Sequence, residues 1–296
     1  MINLYFSKNN EHMEPHYLIK KQRKASSILA MAVLLLLLAE PSTGARTRQK
    51  IVNIAYSTLL DDECTINTMD HFRAAVQAGF SYLKTDMRLT SDGEIVLCHD
   101  AGFTFNEEGK ITKFNRKDYK AIHDMTLAEV LALEHERKHG RVSRVATMDE
   151  FLAFCRRTRV SAYITVRNEY QDETLEKLAE LLERHKMQER VIINNYPASD
   201  ETCASIRRVF PNTPISYTIP GDLTKEIIDK VVDLGSESVV CVNHERVLKI
   251  DDDLWSYARE HAVPVYGWIV WTRDQYLSCL KAGCEGFQIS KIEVIK

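Results

Sequence analysis

Beyond residue 50, short apolar runs alternate along the chain with stretches in which apolar residues recur every three or four positions. The runs predict buried strands, and the longer period predicts helices with one apolar face. Eight barrel strands and one return strand are predicted: Ile51–Tyr56, Tyr82–Leu89 with its return Glu94–His99, Ser161–Val166, Val191–Asn195, Ile215–Thr218, Ser238–Val242, Val265–Val270 and Gly286–Ile289. Seven helices are predicted between most of them: Met69–Ala78, Met148–Arg157, Thr174–His185, Ser199–Val209, Thr224–Leu234, Asp252–His261 and Arg273–Ala282.

Alternating strands and helices are typical of α/β folds with a parallel sheet. Eight such units in about 250 residues predict a (β/α)₈ TIM barrel. Three helix starts carry the polar residues that cap helices, at Asn67-Thr68, Ser199 and Thr224. The pattern therefore predicts both the fold class and several helix boundaries.

The strongest local signal is Asp92-Gly93, a dipeptide between two apolar runs. Asp-Gly is favoured in the two-residue turns of β-hairpins. If these residues form such a turn, Asp86 lies directly opposite His99, and opposed side chains have Cβ atoms about 4.5–5.5 Å apart. The sequence therefore predicts a hairpin that brings a carboxylate and an imidazole into one site.

Two cations accompany this pair. Lys84 and Arg88 flank Asp86 at two-residue spacing, and side chains alternate along a strand, so all three face the same way. An acid–base pair beside two cations suits an anionic substrate. On the spacing alone, the alternative is the solvated polar face of a hairpin.

Further candidates lie where predicted strands end, because the active site of a (β/α)₈ barrel forms at the C-terminal ends of its strands. Tyr56, Arg167, Tyr196 and Trp268 lie at or near such ends. Trp268 has two interpretations, as the wall of a pocket for a glycerol or sugar moiety or as a core aromatic.

The longest connection between predicted elements is Ala101–Val145. It is predicted to carry two helices, around Arg116–His123 and Thr126–His139, which form an insertion after the second strand and its hairpin. Seven histidines lie on predicted helices or loops, and most of them are predicted to be surface residues: His71, His123, His135, His139, His185, His244 and His261.

Composition restricts the class of partner. The chain has 296 residues, a net charge of −3 and 45% hydrophobic residues. Residues 48–296 are predicted to form one domain with a single large core. The charge argues against a nucleic-acid partner, which needs a basic surface. We find no P-loop, no dinucleotide-binding glycine pattern and no zinc-like spacing of cysteine and histidine.

Residues 1–47 follow a different pattern. The basic segment Lys20–Lys24 precedes the apolar run Ile28–Ala39, and small residues follow as far as Ala45. This arrangement is typical of a secretory signal peptide. The run is short for the roughly 20 residues of a spanning helix, so a membrane anchor is the second choice. The segment predicts a secreted or cell-envelope protein, with membrane association through this segment as an option.

The seven cysteines complicate export. Several fall in predicted strands or helices, a use that is more typical of reducing compartments, so a cytoplasmic location is the alternative. Because the number is odd, at least one cysteine stays unpaired in a monomer.

Motifs along the domain resemble those of the glycerophosphodiester phosphodiesterase (GDPD) family. Gly79, Asp86, Asp92-Gly93 and His99-Asp100 resemble its core pattern G-x-x-x-x-E-x-D…DG…V-x-x-H-D. Further similar segments, in order and at matching spacing, are Ile54–Thr58, Ile66–Thr68, Met125–Val130, Ala146–Leu152, Ala162–Arg167, Val191–Tyr196, Val265–Trp268 and Gly283–Ile289. The resemblance implies the barrel fold, with the long insertion covering part of its mouth.

The resemblance also implies a hydrolytic site with two histidines, an arginine and carboxylates that hold Ca²⁺ or Mg²⁺. This sequence departs from that pattern at four positions: Tyr56 at the first histidine, Ser57 at the arginine, Lys84 at the first metal carboxylate and Thr165 at a later glutamate. The pattern survives at Asp86 and His99, and Arg167 stands at the family's lysine position.

These departures change the expected chemistry. Calcium and magnesium need several oxygen ligands, and Asp86 is the sole surviving metal ligand, so we expect no cofactor here although Ca²⁺ or Mg²⁺ is expected for the family. His99 and Tyr56 are the predicted catalytic residues. The predicted substrate-binding residues are Arg167, Lys84, Arg88 and Trp268.

Three functional hypotheses follow. The first is a family member that binds small anionic phosphodiesters of the phospholipid-headgroup type, with hydrolysis impaired. The second is an active phosphoric diester hydrolase that releases glycerol 3-phosphate and an alcohol through a rearranged site. The third is an interaction or structural domain of the cell envelope.

Overall fold

The computed structural model describes residues 51–56, 67–111, 118–136, 142–168, 170 and 172–295. The predicted signal or anchor segment, residues 1–47, lies outside the described residues. Within them, no helix is long and apolar enough to cross a membrane.

The described part of the chain contains thirteen β-strands: β1 Val52–Ala55, β2 Tyr82–Leu89, β3 Ile95–Leu97, β4 Gly102–Phe105, β5 Asp118–Ala121, β6 Glu134–Glu136, β7 Val142–Arg144, β8 Ser161–Val166, β9 Val191–Asn195, β10 Ile215–Ile219, β11 Val239–Asn243, β12 Val265–Val270 and β13 Gly286–Ile289. Eight of them run parallel in the order β1, β2, β8, β9, β10, β11, β12, β13. Because β1 pairs with both β13 and β2, the sheet closes into a barrel, which confirms the predicted fold class.

The same residues contain nine α-helices: α1 Met69–Gln77, α2 Leu127–Leu131, α3 Met148–Thr158, α4 Asp172–Arg184, α5 Asp200–Val209, α6 Lys225–Leu234, α7 His244–Val247, α8 Asp252–Glu260 and α9 Arg273–Ala282. All seven predicted helices between strands are confirmed. Thr68, Ser199 and Thr224 cap α1, α5 and α6 by accepting a bond from a backbone N–H of the first turn.

Alternation along the strands separates the core from the site. On β2, Leu83 and Met87 are fully buried in the apolar layer between the barrel and its helices, together with Phe72 of α1. Lys84 and Asp86 point the other way, into the barrel. One face of β2 therefore stabilises the fold while the other carries charge.

The register of the hairpin differs from the prediction by one residue. Thr90 N donates to Glu94 O at 2.9 Å, and Met87 pairs with Leu97. The turn therefore has three residues, with Gly93 in the left-handed region at φ 78°, a common hairpin arrangement. The predicted two-residue turn is wrong, and Cys98, whose N–H donates to Asp86 O, lies opposite Asp86.

The insertion is built mainly from hairpins rather than from the two predicted helices. Strand β4 pairs with β5 and β6 pairs with β7, while a 3₁₀ turn at Ile122–Asp124 and the five-residue α2 stand in place of longer helices. A separate small apolar cluster that includes Phe103, Ile122 and Val130 holds these pieces together. Pairing of short strands over this cluster buries the apolar residues of the insertion, and this tertiary packing overrides the helical pattern of the sequence.

Candidate substrate site at the barrel mouth

A small cavity of about 30 Å³ lies at the C-terminal ends of the barrel strands. A space of this size holds about one water molecule. Its lining comprises Tyr56, Lys84, Asp86, His99, Thr165, Arg167, Asn194, Tyr196, Thr218, Trp268 and Gln288. The structure thus brings together all the predicted site residues except Arg88.

The innermost charges are an ion pair on one strand. Lys84 Nζ donates to Asp86 Oδ2 at 2.7 Å, with only 5% and 4% of the two side chains exposed. The two-residue spacing on β2 makes both side chains face the barrel interior. The Lys84 ammonium group is therefore hydrogen-bonded to one oxygen of Asp86, the carboxylate that survives from the family's metal-binding pattern.

Asn67 fixes this carboxylate from the start of α1. Its Nδ2 donates to Asp86 Oδ2 at 3.4 Å, and its Oδ1 accepts from Asp86 N at 3.3 Å and from Thr85 Oγ1 at 3.0 Å. The residue has φ 61°, a left-handed conformation that asparagine tolerates. The sequence pattern predicts Asn67 only as part of the helix cap with Thr68, and the contact of Asn67 with Asp86 was not predicted.

The surroundings keep Asp86 ionised. Burial is the largest single influence on Asp86 and would raise its pKa, but the charges of Lys84, His99 and Arg167 and the hydrogen bond from Lys84 together outweigh it, so the pKa lies below its ordinary value. Arg167 Nη2 lies 3.7 Å from Asp86 Oδ1. The Nε atom of Arg167 is buried and has no hydrogen-bond partner, so one donor remains available for a ligand.

Tyr56 lies against the same ammonium group. Lys84 Nζ is 4.7 Å from the centre of the Tyr56 ring, a cation–π contact. Behind it, His71 Nε2 donates to Tyr56 O at 3.0 Å. His71 is only 1% exposed, so it is an exception to the surface location predicted for most of the histidines. Burial lowers the pKa of His71 to about 4, which leaves the ring neutral at pH 7.

His99 forms the outer wall, although it does not pair with Asp86 across the ladder. Strand β3 ends at Leu97, so the chain leaves the sheet and His99 turns towards the cavity. Its Nδ1 lies 2.8 Å from Asp100 Oδ1, and 44% of its side chain is exposed.

Two arginines hold the backbone of His99. Arg88 Nη2 donates to His99 O at 2.6 Å, and Arg167 Nη2 donates to the same oxygen at 3.5 Å. Arg88 lines a separate neighbouring cavity with Tyr170 and His123. The structure therefore places Arg88 where it positions His99 and apart from the small cavity.

The opposite side of the cavity is neutral. Asn194 Nδ2 donates to Thr165 Oγ1 at 3.1 Å, and Asn194 Oδ1 lies 3.0 Å from the Tyr163 hydroxyl and accepts from Thr218 Oγ1 at 2.5 Å. Gln288 Nε2 donates to the Tyr163 hydroxyl at 3.1 Å. Burial raises the pKa of Tyr163 well above its ordinary value, so this hydroxyl stays protonated.

Trp268 closes the cavity from β12. Its ring meets Tyr196 edge-on, with ring centres 5.0 Å apart at 71°. Its Nε1 is buried and has no hydrogen-bond partner. A ligand oxygen at this point would satisfy the indole N–H.

The donor set does not fit a divalent metal ion. Among the described residues, no three His, Cys, Asp or Glu side chains are grouped so that they could hold a metal ion. Asp86 is the one carboxylate in the cavity lining, and Lys84 is bonded to it, whereas Ca²⁺ and Mg²⁺ prefer several carboxylate or carbonyl oxygens. Ser57, at the family's arginine position, lies outside the described residues.

Comparisons with known proteins converge on one family. Residues 60–293 match the sequence profile of the glycerophosphoryl diester phosphodiesterase family. A glycerophosphodiester phosphodiesterase of Caldanaerobacter subterraneus subsp. tengcongensis is 22% identical over 227 residues, which cover 74% of this chain and 86% of that protein.

Solved structures share the fold. A phosphodiesterase of Oleispira antarctica in complex with the product sn-glycerol-3-phosphate has a TM-score of 0.67 and 14% identity, over 82% of this chain and 95% of that chain. A glycerophosphodiester phosphodiesterase of Agrobacterium tumefaciens has a TM-score of 0.65 and 14% identity, over 83% of this chain and 98% of that chain. At these identities the likeness shows a common barrel architecture.

Proposed function

This chain belongs to the glycerophosphoryl diester phosphodiesterase family, and from that premise we propose that its barrel mouth binds a small phosphate ester while metal-dependent hydrolysis is strongly impaired. The observation that carries the proposal is the buried pair of Lys84 and Asp86, with 2.7 Å between Nζ and Oδ2. The family resemblance would place a divalent metal ion at Asp86. In this proposal the Lys84 ammonium group stands there instead and supplies the positive charge that attracts a phosphate.

Replacing a metal ion by an ammonium group affects phosphate binding and hydrolysis differently. A bound divalent ion supplies a hydroxide nucleophile and stabilises charge on the attacking and leaving oxygens. An ammonium group attracts a phosphate but cannot generate that hydroxide. Binding therefore persists in this proposal, whereas turnover falls.

The acid–base chemistry is also reduced. Of the two histidines that the family resemblance implies, only His99 remains, and Tyr56 stands at the other position. A phenol, with an ordinary pKa near ~10, is a poor general base at neutral pH. Losing one positioned acid or base typically costs about 10²- to 10⁴-fold in rate.

Positive charge and unused donors favour an anion. Lys84 and Arg167 bring two positive charges to the cavity against the single negative charge of Asp86. The buried Nε of Arg167 and the buried Nε1 of Trp268 add two donors without partners. The product bound to the Oleispira antarctica relative, sn-glycerol-3-phosphate, supports the choice of ligand class.

Entry of a phosphate requires more room than the cavity of about 30 Å³ offers. In the proposed mode the His99 side chain swings outward, since 44% of it is exposed and its contact with Asp100 is a surface pair. Such pairs are typically worth at most about 1 kcal/mol. Arg88 meanwhile keeps the His99 backbone in place.

Titration calorimetry with sn-glycerol 3-phosphate, in the presence of EDTA, tests the proposal. We expect binding by the unmodified protein and a loss of about 10- to 100-fold in affinity for Arg167→Ala, since hydrogen bonds to charged groups are worth about 1.5–3 kcal/mol. Arg73→Ala is the matched control, because this arginine lies in an exposed ion pair on α1. No binding by the unmodified protein, or equal affinity in both variants, would contradict the proposal.

A second candidate function is hydrolysis through a rearranged site without metal. The contact between His99 Nδ1 and Asp100 favours it, because a carboxylate at Nδ1 orients an imidazole for proton transfer at Nε2. Release of choline from glycerophosphocholine by the unmodified protein, abolished in His99→Gln, would favour this candidate over the first.

We also propose export for the N-terminal segment, on the strength of its basic and apolar pattern alone. Expression of the full chain in a cell with a signal peptidase tests this. A mature protein that begins near Ala45 is the expected mass-spectrometric result, and an intact N-terminus would favour the anchor or the cytoplasmic alternative.

A further inference from the structure

Two cysteines meet at the end of the last helix. Cys284 N donates to Cys279 O at 3.0 Å, and Gly283 N donates to Leu280 O at 3.2 Å. This pair of bonds, with Gly283 at φ 125°, is the Schellman arrangement that ends many helices. In that arrangement the side chains of the two residues joined by the outer bond commonly contact each other. Here both of those side chains carry thiols.

The geometry satisfies the distance requirement for a bridge. With standard bond lengths, a 3.0 Å bond between Cys284 N and Cys279 O limits the separation of the two Cα atoms to about 7 Å. Disulfides usually join Cα atoms about 4.4–6.8 Å apart, and a separation above about 7 Å excludes a bridge, so the distance between these two cysteines permits one. The two side chains are 0% and 2% exposed, so each thiol faces the protein interior rather than solvent.

We propose that Cys279 and Cys284 are a redox pair that closes to a disulfide when the protein meets a disulfide oxidant such as oxidised glutathione. One protein thiolate attacks the oxidant and releases one small thiol. The second protein thiolate then attacks the mixed disulfide and releases the other. One S–S bond forms in the protein, one breaks in the oxidant, and the two protons of the protein thiols pass to the released thiols.

The Cys279 thiol has one hydrogen-bond partner beside Cys284, because its Sγ donates to His244 O at 3.6 Å. The interaction between the two thiols lowers the pKa of Cys279 and raises that of Cys284, so Cys279 is the thiol that loses its proton more readily. The thiolate is the reactive form in disulfide exchange, which makes Cys279 the attacking sulfur in the proposal. Because both residues are buried, exchange takes place during folding or when the end of α9 opens.

Other described cysteines provide a contrast. Cys155 in α3 is fully buried, and burial raises its pKa beyond its ordinary range; Cys203 in α5 is 1% exposed, and burial raises its pKa to about 12. Neither residue stands in a helix-end turn that brings a second cysteine against it. We expect both to remain thiols under conditions that oxidise the proposed pair.

The bridge would stabilise the seam where the barrel closes. It would join the end of α9 to the start of β13, which pairs with β1 and carries Gln288 into the substrate cavity. Closing so short a loop is expected to raise the melting temperature by about 4–8 °C in a domain of this size.

Peptide mapping tests the proposal without any variant. The protein is incubated in an equimolar mixture of reduced and oxidised glutathione, both folded and during refolding, and free thiols are then alkylated in denaturant. Trypsin cleaves after Lys281, between the two cysteines, so the bridge is expected to join peptides 274–281 and 282–291. Full alkylation of both residues after refolding, or a link to a different cysteine, would overturn the proposal.

Melting curves provide the second measurement. The rise on oxidation is expected to vanish in Cys279→Ala and in Cys284→Ala and to persist in Cys155→Ala, the matched buried control. An equal rise in all three variants would assign the effect to other thiols and contradict the proposal.

Discussion

The two sides of the barrel mouth satisfy their buried polar groups in opposite ways. On β2, and at the end of β8, the side chains are charged, and Lys84, Asp86 and Arg167 form a compact group. Across the cavity, Asn194 and Gln288 belong to a network of neutral groups that centres on the Tyr163 hydroxyl.

This difference explains why the side chains that line the cavity do not fit a divalent metal ion. Thr165 lies in β8 beside Asp86 in the sheet register, yet its hydroxyl accepts a bond from Asn194 and so belongs to the neutral side. One expected carboxylate is thus replaced by a cation and the other by a hydroxyl within a neutral network. Each replacement is internally satisfied, so we interpret the site as stable in its present chemistry rather than as an eroded metal site.

The contrast between the charged and the neutral side of the cavity should have its largest effect on the rate of hydrolysis. We expect the unmodified protein to hydrolyse glycerophosphocholine about 10⁴-fold or more slowly than a relative with an intact site, because one acid–base group and a charge-stabilising metal are missing. The triple variant Tyr56→His, Lys84→Glu, Thr165→Glu should gain calcium-dependent activity in a choline-release assay. The double variant that retains Tyr56 is the control, and robust hydrolysis by the unmodified protein would refute the interpretation.

Removing one partner of the charged side should cost the most stability. Asp86→Ala leaves the Lys84 ammonium buried without its carboxylate, which typically costs about 3–5 kcal/mol. The double variant Lys84→Met, Asp86→Leu should recover most of that loss, since no buried charge remains. Urea unfolding measures both variants, and a cost below about 1 kcal/mol for the single variant would show that the pair is well solvated.

Acidification should affect His71 before the charged side. Folded His71 stays neutral down to about pH 4, whereas the unfolded residue takes up a proton below its ordinary pKa near 6.5. The free energy of unfolding should therefore fall by roughly 3 kcal/mol between pH 6.5 and pH 4. His71→Gln should flatten this part of the profile, and an unchanged slope in the variant would assign the effect to other groups.

The contribution of Asp86 has a different pH window. Its pKa is lowered in the folded state, so its stabilisation is present above the ordinary carboxyl range and is lost only as the pH falls below that range.

A change confined to the neutral side should have the smallest effect. Tyr163→Phe removes the hydroxyl that contacts Asn194, Ser216 and Gln288. We expect a cost of about 1–3 kcal/mol, because the groups left behind lose one bond each. Affinity for sn-glycerol 3-phosphate should change little, and a large loss would mean that the neutral network also forms the anion site.

Local patterns predicted most of the barrel but fewer of the site's contacts. The strand and helix periods, and caps such as Thr68, depend only on residues that are close in the sequence. They were therefore sufficient to predict the barrel architecture. The predicted hairpin register was wrong because Ser91-Asp92-Gly93 suits a three-residue turn as well as a two-residue one. The choice between the two turn lengths depends on how the two strands pair in the folded protein. Asn67 was missed as a site residue because its contact with Asp86 spans 19 residues and needs a left-handed backbone.

The interior network was missed for a similar reason. Asn194 and Gln288 stand in apolar strands far apart in the sequence, and their common contact with Tyr163 depends on barrel closure. An amide within an otherwise apolar strand was the one available signal, because such a group needs a partner when it is buried.

Calorimetric titration of the unmodified protein with Ca²⁺ and Mg²⁺ tests most directly whether the Lys84 ammonium has replaced the metal. We expect no binding at about tens of micromolar, the range of sensor sites, and a gain in affinity for Lys84→Glu combined with Thr165→Glu. Tight, stoichiometric binding of either ion by the unmodified protein would contradict the account.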